Sequence, residues 1–385
     1  MLKKDTIVFI SSLQPDSNYS AYLCRALVKN KIDLVVYAEN DPRNQLIDDC
    51  GTVQLVWDKP VQYVLQIFLK LLKDRPRKVH IQHEVNMYGG QVSAVLFPVL
   101  LFFIKLTGAE VTTTIHGVIP RREINRDFIA MFTQKLVPPN VTLTKLVFLY
   151  IYKLSSFFSD KVIVHTNLLK KTLVTDYGVR EKKIFVISHG VPKVNEDTLK
   201  DPSSEKYFFY FGYIVKRKGL DKVIEGYIDY LKNTKGPKYK LILGGGLIKG
   251  QEFAYEELKQ LVDESGFSKY IIFTGFLSTE DIAKYYTNSV ATVMPSAISI
   301  SASGPLAQNF AYGKCALISS IGNFKEEIAD RETGILVEDN KWKDAFEYVI
   351  NNPSQVLEIE KGSFKKAKSR SWNKIAKKHK AVYEK

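Results

Sequence analysis

Met294-Pro-Ser-Ala-Ile-Ser-Ile-Ser-Ala-Ser-Gly-Pro-Leu-Ala-Gln-Asn-Phe-Ala-Tyr-Gly-Lys-Cys-Ala-Leu-Ile-Ser-Ser320 reads as strand, loop, helix and strand in turn. Val290–Met294 is a short apolar strand that ends at Pro295. A loop of small residues follows, with Ser299, Ser301, Ala302, Ser303 and Gly304. The helix then opens with Pro305 in its first turn, where a missing N–H costs nothing, and continues through Leu306 and Gln308 to Gly313. Ala316–Ser319 is the next buried strand. A Ser/Gly loop running into a helix start exposes backbone N–H groups at the positive end of the helix dipole, which suits a phosphate. An ordinary strand–loop–helix crossover has the same local pattern, so the surroundings decide.

Upstream, Phe211-Gly212-Tyr213-Ile214-Val215-Lys216-Arg217-Lys218-Gly219-Leu220-Asp221 places three consecutive cations in a turn before a helix. Leu241-Ile242-Leu243-Gly244-Gly245-Gly246, Ile272-Phe273-Thr274-Gly275-Phe276-Leu277-Ser278 and Glu332-Thr333-Gly334-Ile335-Leu336-Val337 follow. The other half carries Val79-His80-Ile81-Gln82-His83-Glu84 with Tyr88-Gly89-Gly90, Thr114-Ile115-His116-Gly117-Val118 and Ile187-Ser188-His189-Gly190-Val191. In this order and spacing the segments resemble the retaining glycosyltransferases of family 4, which are built on the GT-B fold.

The resemblance implies an α/β chain of two Rossmann-like, doubly wound domains facing a cleft. It also implies a nucleotide-diphosphate sugar as co-substrate and neither a metal nor another cofactor. Lys218, with Lys216 or Arg217, would neutralise the leaving group. Gly212 and the N–H groups of Ser301, Ser303 and Gly304, with Pro305 and Leu306 behind them, would hold the phosphates. Gln308 would meet the ribose and Phe276 the base. From the N-terminal side His116 would hydrogen-bond the donor sugar, and Glu84, Arg121 and Arg122, with Arg126 and Lys135 beyond, would lie toward the acceptor. Two glutamates usual in the family fall here on Ile300 and Gln308, and the usual glycine pair of the first loop is replaced by Ser11-Ser12-Leu13-Gln14-Pro15-Asp16. Gln308 keeps hydrogen-bonding capacity, whereas Ile300 has none in its side chain.

At 385 residues the chain exceeds the length at which single cores divide, so two domains are expected. Strands at Thr6–Ser11, Asp33–Ala38, Lys78–Gln82, Glu110–Ile115, Lys161–His165 and Ile184–Ser188 alternate with helix-length segments, one from about Tyr19 to Lys29. This gives an N-terminal acceptor domain over 1–190 and a polar linker at Pro192–Lys206. A nucleotide-sugar domain over 207–365 follows, beginning with the strand Tyr207–Phe211. An amphipathic helix within 366–385 bears Trp372, Ile375, Ala376, His379, Val382 and Tyr383, and by the resemblance it returns to the N-terminal domain.

Five of the six histidines lie in or just after strands, but none pairs with another at helical ligand spacing. His80 and His83 have opposite parity, so they point to opposite faces of one strand. Three scattered cysteines read as reduced thiols, and Met1-Leu2-Lys3-Lys4 leads directly into a strand, unlike a signal peptide. The expected location is therefore cytoplasmic.

The net charge of +14 calls for an anionic partner. No helix-turn-helix, zinc-finger or RNA-binding pattern is visible, which excludes nucleic acid as the leading choice. Gln62–Leu72, Val92–Leu106 and Leu143–Phe158 are apolar runs with Lys70, Lys73, Lys105, Lys145 and Lys153 in or beside them. They read either as core helices or as interfacial helices on an anionic membrane surface. Three function classes follow: a glycosyltransferase making a glycan or lipid-linked product, peripheral on the cytoplasmic membrane face; a catalytically silent relative that binds a ligand or a partner glycosyltransferase; and an epimerase on the same fold, for which no carboxylates are suitably placed.

Overall fold

The computed structural model describes residues 2–13, 18–41, 43–44, 49–85, 87–131, 140–193 and 205–385. Gln14-Pro15-Asp16, Lys135 and most of the expected linker lie outside the described residues.

Two parallel sheets form the core of the chain. The first has seven strands in the order β3-β2-β1-β4-β5-β6-β7: β1 Ile7–Ile10, β2 Leu34–Glu39, β3 Thr52–Trp57, β4 Lys78–His83, β5 Glu110–Ile115, β6 Lys161–Val164 and β7 Ile184–Val186. The second has six in the order β10-β9-β8-β11-β12-β13: β8 Tyr207–Phe211, β9 Lys240–Gly244, β10 Ile271–Gly275, β11 Ala291–Met294, β12 Ala316–Ser319 and β13 Ile335–Val337. Two doubly wound α/β sheets are the GT-B architecture. Strands such as Ile7-Val-Phe-Ile10 are buried along their whole length because helices cover both faces of a parallel sheet.

One strand goes beyond the sequence expectation. β3 pairs with β2 at the sheet edge, and its half-exposed side chains give it neither a continuous apolar run nor a clean alternation.

On one face of the first sheet, α1 (Asn18–Lys29) packs with the last helix of the chain, α14 (Trp372–Tyr383), over Phe9, Val36 and Ile163. On the other face lie α2 (Tyr63–Asp74) and α3 (Gln91–Leu106), over Val8, Ile10 and Ile81. Next to α3 is α5 (Val141–Phe158), reached after the short α4 (Arg126–Ala130), and α6 (Asn167–Tyr177) follows β6. The second sheet is covered by α7 (Leu220–Asn233), α8 (Phe253–Ser265), α9 (Thr279–Asn288), α10 (Gly304–Ala311), α11 (Gly322–Glu327), α12 (Trp342–Asn351) and α13 (Pro353–Ser369).

After α13 the chain crosses to the N-terminal domain. Val191 and Ser371 form a parallel bridge, and the Val191 N–H donates to the Arg370 carbonyl at 2.9 Å. Trp372 then lodges against Gly190, Tyr19 and His189, with ring centroids 5.0 Å from Tyr19 and 5.7 Å from His189. A Cβ at residue 190 would stand 2.4 Å from the indole, so the seat of Trp372 requires glycine there. Gly190→Ala is expected to unseat the indole and to destabilise the fold by about 1–3 kcal/mol, the usual cost of overpacking. Urea unfolding followed by tryptophan emission reads this, and unchanged stability and emission would show that Trp372 does not depend on that contact.

Candidate active site

In an open parallel sheet, ligands bind outside the carboxyl ends of the strands where the strand order reverses. In the second sheet that point lies between β8 and β11. The loop after β8 is the cationic turn and the loop after β11 is the small-residue loop. They are tied together, since the Ala297 N–H donates to the Arg217 carbonyl at 3.0 Å. In the first sheet the switch lies between β1 and β4, and Glu84 immediately follows β4.

Around β8 the backbone is tightly threaded. Gly212 and Gly245 both have positive φ, and a Cβ on Gly245 would meet the Gly212 carbonyl oxygen at 1.8 Å. The two loops approach that closely only because residue 245 lacks a side chain. Tyr213, Gly246 and Phe276 form a rim beside them, with Phe276 78% exposed.

Within the cationic turn the three charges separate. Lys216 pairs with Glu257 of α8 at 3.3 Å and lies over the Phe253 ring. Its ammonium thus has a carboxylate partner on α8, in an ion pair that stays solvent-exposed. Lys218 is half-buried, and burial, with the adjacent Arg217 charge adding to it, brings its ammonium pKa down to about 8. Arg217 faces Glu84 across the cleft. Crowding by protein atoms raises the Glu84 carboxyl pKa although the side chain reaches solvent, and the Arg217 charge opposes that rise. Val215 is buried in the core.

α10 begins as its sequence dictates. Ser303 is the N-cap, and its hydroxyl accepts the Leu306 N–H at 3.2 Å. Pro305 lies in the first turn, while the Leu306 side chain turns inward to the core of its own domain. The buried Gln308 Oε1 has no partner among the described residues. Such an oxygen accepts only, so the group that satisfies it must donate a hydrogen bond.

Ile300 has a role that its sequence neighbours do not show. Its carbonyl accepts the Val118 N–H at 2.8 Å, and Ser301 bridges Gly117 antiparallel. Its side chain, with Ile298, packs against Ile119, Ile124 and Phe128 of the N-terminal domain. Ile300 is thus part of an apolar clasp between the domains. A second clasp is polar. Glu326 of α11 accepts from the N–H groups of Asn167 (2.7 Å) and Leu168 (2.9 Å) at the start of α6, and the Thr166 hydroxyl donates to Asn323 at 2.6 Å. Ser299 Oγ accepts the Asn323 N–H at 2.8 Å.

The N-terminal wall contains a chain of neutral polar groups. His165 Nδ1 lies 2.9 Å from the Ile187 carbonyl, so that nitrogen carries the proton and Nε2 accepts. His116 Nδ1, 3.0 Å away, must then donate to it, and its Nε2 must accept from the Gln82 amide at 2.8 Å. The Gln82 amide accordingly turns its NH2 toward His116 and its oxygen toward His80, because the two amide ends have the same shape. His80 Nδ1 then accepts from the Tyr383 hydroxyl at 2.6 Å. Both ring nitrogens of His116 are therefore engaged inside the N-terminal domain. Burial, then the neighbouring His165 and His189, holds its pKa well below the ordinary value. The sequence missed this chain, although the shared parity of His80 and Gln82 on one strand was its available signal.

Arg121 and Arg122 are on the exposed loop beyond the clasp. The Arg121 N–H donates to Asp176 at 2.9 Å, and the Arg122 guanidinium meets Glu123 at 3.2 Å. Among the described residues, no group of three or more His, Cys, Asp or Glu side chains is placed to hold a metal ion.

Comparison with known proteins agrees with this geometry. Residues 17–193 match the model for Glycosyltransferase Family 4, and residues 193–376 match that for Glycosyl transferases group 1. The chain belongs to the glycosyltransferases of GT-B fold. An uncharacterized glycosyltransferase of Methanocaldococcus jannaschii is 25% identical over 240 residues, 59% of this chain and 58% of that protein. Mannosylfructose-phosphate synthase of Agrobacterium fabrum is 25% identical over 138 residues, 33% of this chain and 30% of the relative. The chain thus spans less than two thirds of the length of these relatives. The crystal structure of Anabaena HepE in complex with UDP-glucose superposes with a TM-score of 0.74 at 14% identity, covering 99% of this chain and all of that one, a likeness of fold.

Two outcomes follow from the site's construction. His80, His83 and His165 are buried, which takes their pKa values to about 3, 3 and 4 against 6.5 ordinarily. Between those values the unfolded chain binds more protons, so stability falls as pH drops below about 6.5, by roughly 1.4 kcal/mol per pH unit for each histidine. Urea titrations between neutral pH and pH 5 should show this steep loss, and a flat profile would overturn the neutral-histidine assignment. Ile300→Glu should place a carboxylate in the apolar clasp and open the cleft. Small-angle scattering should then show a larger radius of gyration for the variant than for the natural protein, and identical radii would show that Ile300 does not hold the domains together.

Proposed function

We propose that this protein transfers a hexose, with retention, from a nucleotide-diphosphate sugar to a lipid-linked or polymeric glycan at the cytoplasmic face of a membrane, in polysaccharide or glycoconjugate biosynthesis. The observation that carries the reading is the convergence of three groups on one switch point. Arg217 and Lys218 come from the loop after β8, the start of α10 comes from the loop after β11, and the unpartnered Gln308 oxygen lies one turn into that helix.

Each group meets one need of the reaction. The departing diphosphate needs positive charge held in place before the bond breaks. Arg217 and Lys218 provide it, and a lysine already partly desolvated gains most from an incoming anion. The N–H groups of Ser303 and Gly304 at the start of α10 donate to phosphate oxygens. A ribose hydroxyl donates to Gln308, and the base lies on the Phe276 and Tyr213 rings. Opposite, Glu84 holds the acceptor hydroxyl. His116 backs the donor sugar, and any contact through its ring requires exchange of the Gln82 or His165 bond. That HepE is complexed with UDP-glucose supports the same nucleotide class. We propose that the two cations, rather than a metal, neutralise the diphosphate.

A second reading is favoured by Ile300: a silent relative whose cleft is held shut and which serves a partner glycosyltransferase. Donor hydrolysis assayed with several nucleotide sugars separates the two, because the silent form turns over none.

Lys218→Ala is expected to weaken binding of a nucleoside diphosphate by about 1.5–3 kcal/mol, as for a hydrogen bond to a charged group. In the natural protein, binding should weaken as pH rises through about 8, where Lys218 loses its proton, and Lys218→Arg should abolish that dependence. Calorimetric titration reads both effects. An unchanged dissociation constant in Lys218→Ala would remove the lysine from the site.

A further inference from the structure

Among the described residues, eleven of the fifteen large apolar side chains left exposed lie on, or just ahead of, three helices of the N-terminal domain, α2, α3 and α5. These helices are neighbours, with α3 in the middle. Each is apolar on both sides. Ile67 and Leu71 of α2, Phe97 and Leu101 of α3, and Ile151 of α5 are buried inward. The outward stripes carry Leu65 and Leu69, then Val95 and Phe102, then Leu143 and Phe157, where a solvated helix normally has charged residues. Aromatic contacts join the stripes into one surface: Phe68 stacks on Phe103 at 4.9 Å, and Phe102 meets Phe158 at 5.6 Å. Monomeric proteins rarely leave so wide an apolar face uncovered.

We infer that this three-helix face is the surface by which the protein lies on an anionic lipid bilayer, which deepens the membrane part of the reading above. Charge selects the occupant. Asp74 is the only acidic residue of the three helices, and Lys70 bonds it at 2.6 Å. Lys73 and Lys153 stand exposed among the apolar stripes. A second copy docked symmetrically on this face would add lysines to lysines and offer no acid to match them, whereas anionic headgroups complement them. α5 is, by length and composition, apolar enough to cross a membrane. Here it lies along the domain, packed against α3 with Ile151 and Tyr152 buried, and leaves Leu143, Leu146 and Phe157 facing outward.

The face also reaches the cleft. In a parallel α/β unit the helices run opposite to the strands, so helix starts lie at the carboxyl ends of the strands. Val92 and Val95 therefore lie at the same end as Glu84, as does Leu143. A lipid-borne acceptor held in the bilayer would present its headgroup at that rim.

Co-sedimentation with vesicles of phosphatidylcholine alone, and of phosphatidylcholine mixed with phosphatidylglycerol, tests the inference on the full chain. The natural protein should bind the mixed vesicles at least tenfold more tightly, and added salt should weaken that binding steeply. Lys73→Glu with Lys153→Glu should lower it by on the order of tenfold or more, since each cation near such a surface contributes about fivefold. Leu65→Gln with Leu69→Gln and Phe102→Gln, all at exposed positions, should lower it on both lipids, whereas Leu357→Gln on α13 should not. Equal binding to neutral and anionic vesicles would overturn the inference. So would retained binding in the apolar variant, or a natural dimer that the apolar variant dissolves. Sugar transfer to a soluble acceptor, measured on the same variants, is independent of this face: its absence from every protein would sink the cleft reading and leave the membrane result standing.

Discussion

The seating of Trp372 against Gly190 fixes how the two sheets face one another. Each sheet could close its own core with its own helices, yet the last helix of the chain belongs to the first domain. The crossing at Arg370–Ser371 carries it there. Arg370 pairs with the buried Glu327 of α11 just before the crossing, so the turn point is held from the second domain, while Trp372 is held from the first. The cleft lies between these anchors and the Ile300 clasp, and its width is set by both.

Within that frame the cleft is built from chain ends that side chains would obstruct. Strands β8, β9 and β10 finish in glycine-containing turns, and Gly212 passes so close to Gly245 that residue 245 cannot carry a Cβ. This brings the cationic turn beside the start of α10. Electrostatics then divides three consecutive cations: Lys216 is drawn to Glu257, whereas Arg217 and Lys218 remain at the cleft. On the opposite wall, neutrality prevails. Burial keeps the histidines uncharged, and an unbroken run of donors and acceptors from Tyr383 to Ile187 satisfies His80, His116 and His165 without a proton to spare. One wall is thus cationic and the other neutral and polar.

Much of the fold was legible in the sequence because parallel sheets write themselves locally. Strands such as Ile7-Val-Phe-Ile10 are continuous apolar runs, their ends are marked by Gly, Ser or Pro, and the segments between them have helical length. The edge strand Thr52–Trp57 was less legible, since an edge buries little and needs no strong apolar signal. In the site, the cationic turn and the capped start of α10 are local motifs and could be found from residue type and spacing alone. The apolar runs of α2, α3 and α5 were visible too, but a run does not say which of its sides is covered.

What the sequence determined by itself was therefore the order of strands and helices, the two-domain plan and the capped helix start after one small-residue loop, each encoded within a few residues. Tertiary structure alone decided that Ile300 meets Ile119 and Phe128, that His116 gives both nitrogens to Gln82 and His165, and that Lys216 leaves its two neighbours. It also decided that three apolar helices lie side by side with their outer faces open. The physical reason is distance along the chain: these pairings join residues tens to hundreds of positions apart, where no periodicity carries information and only the packed chain selects the partner.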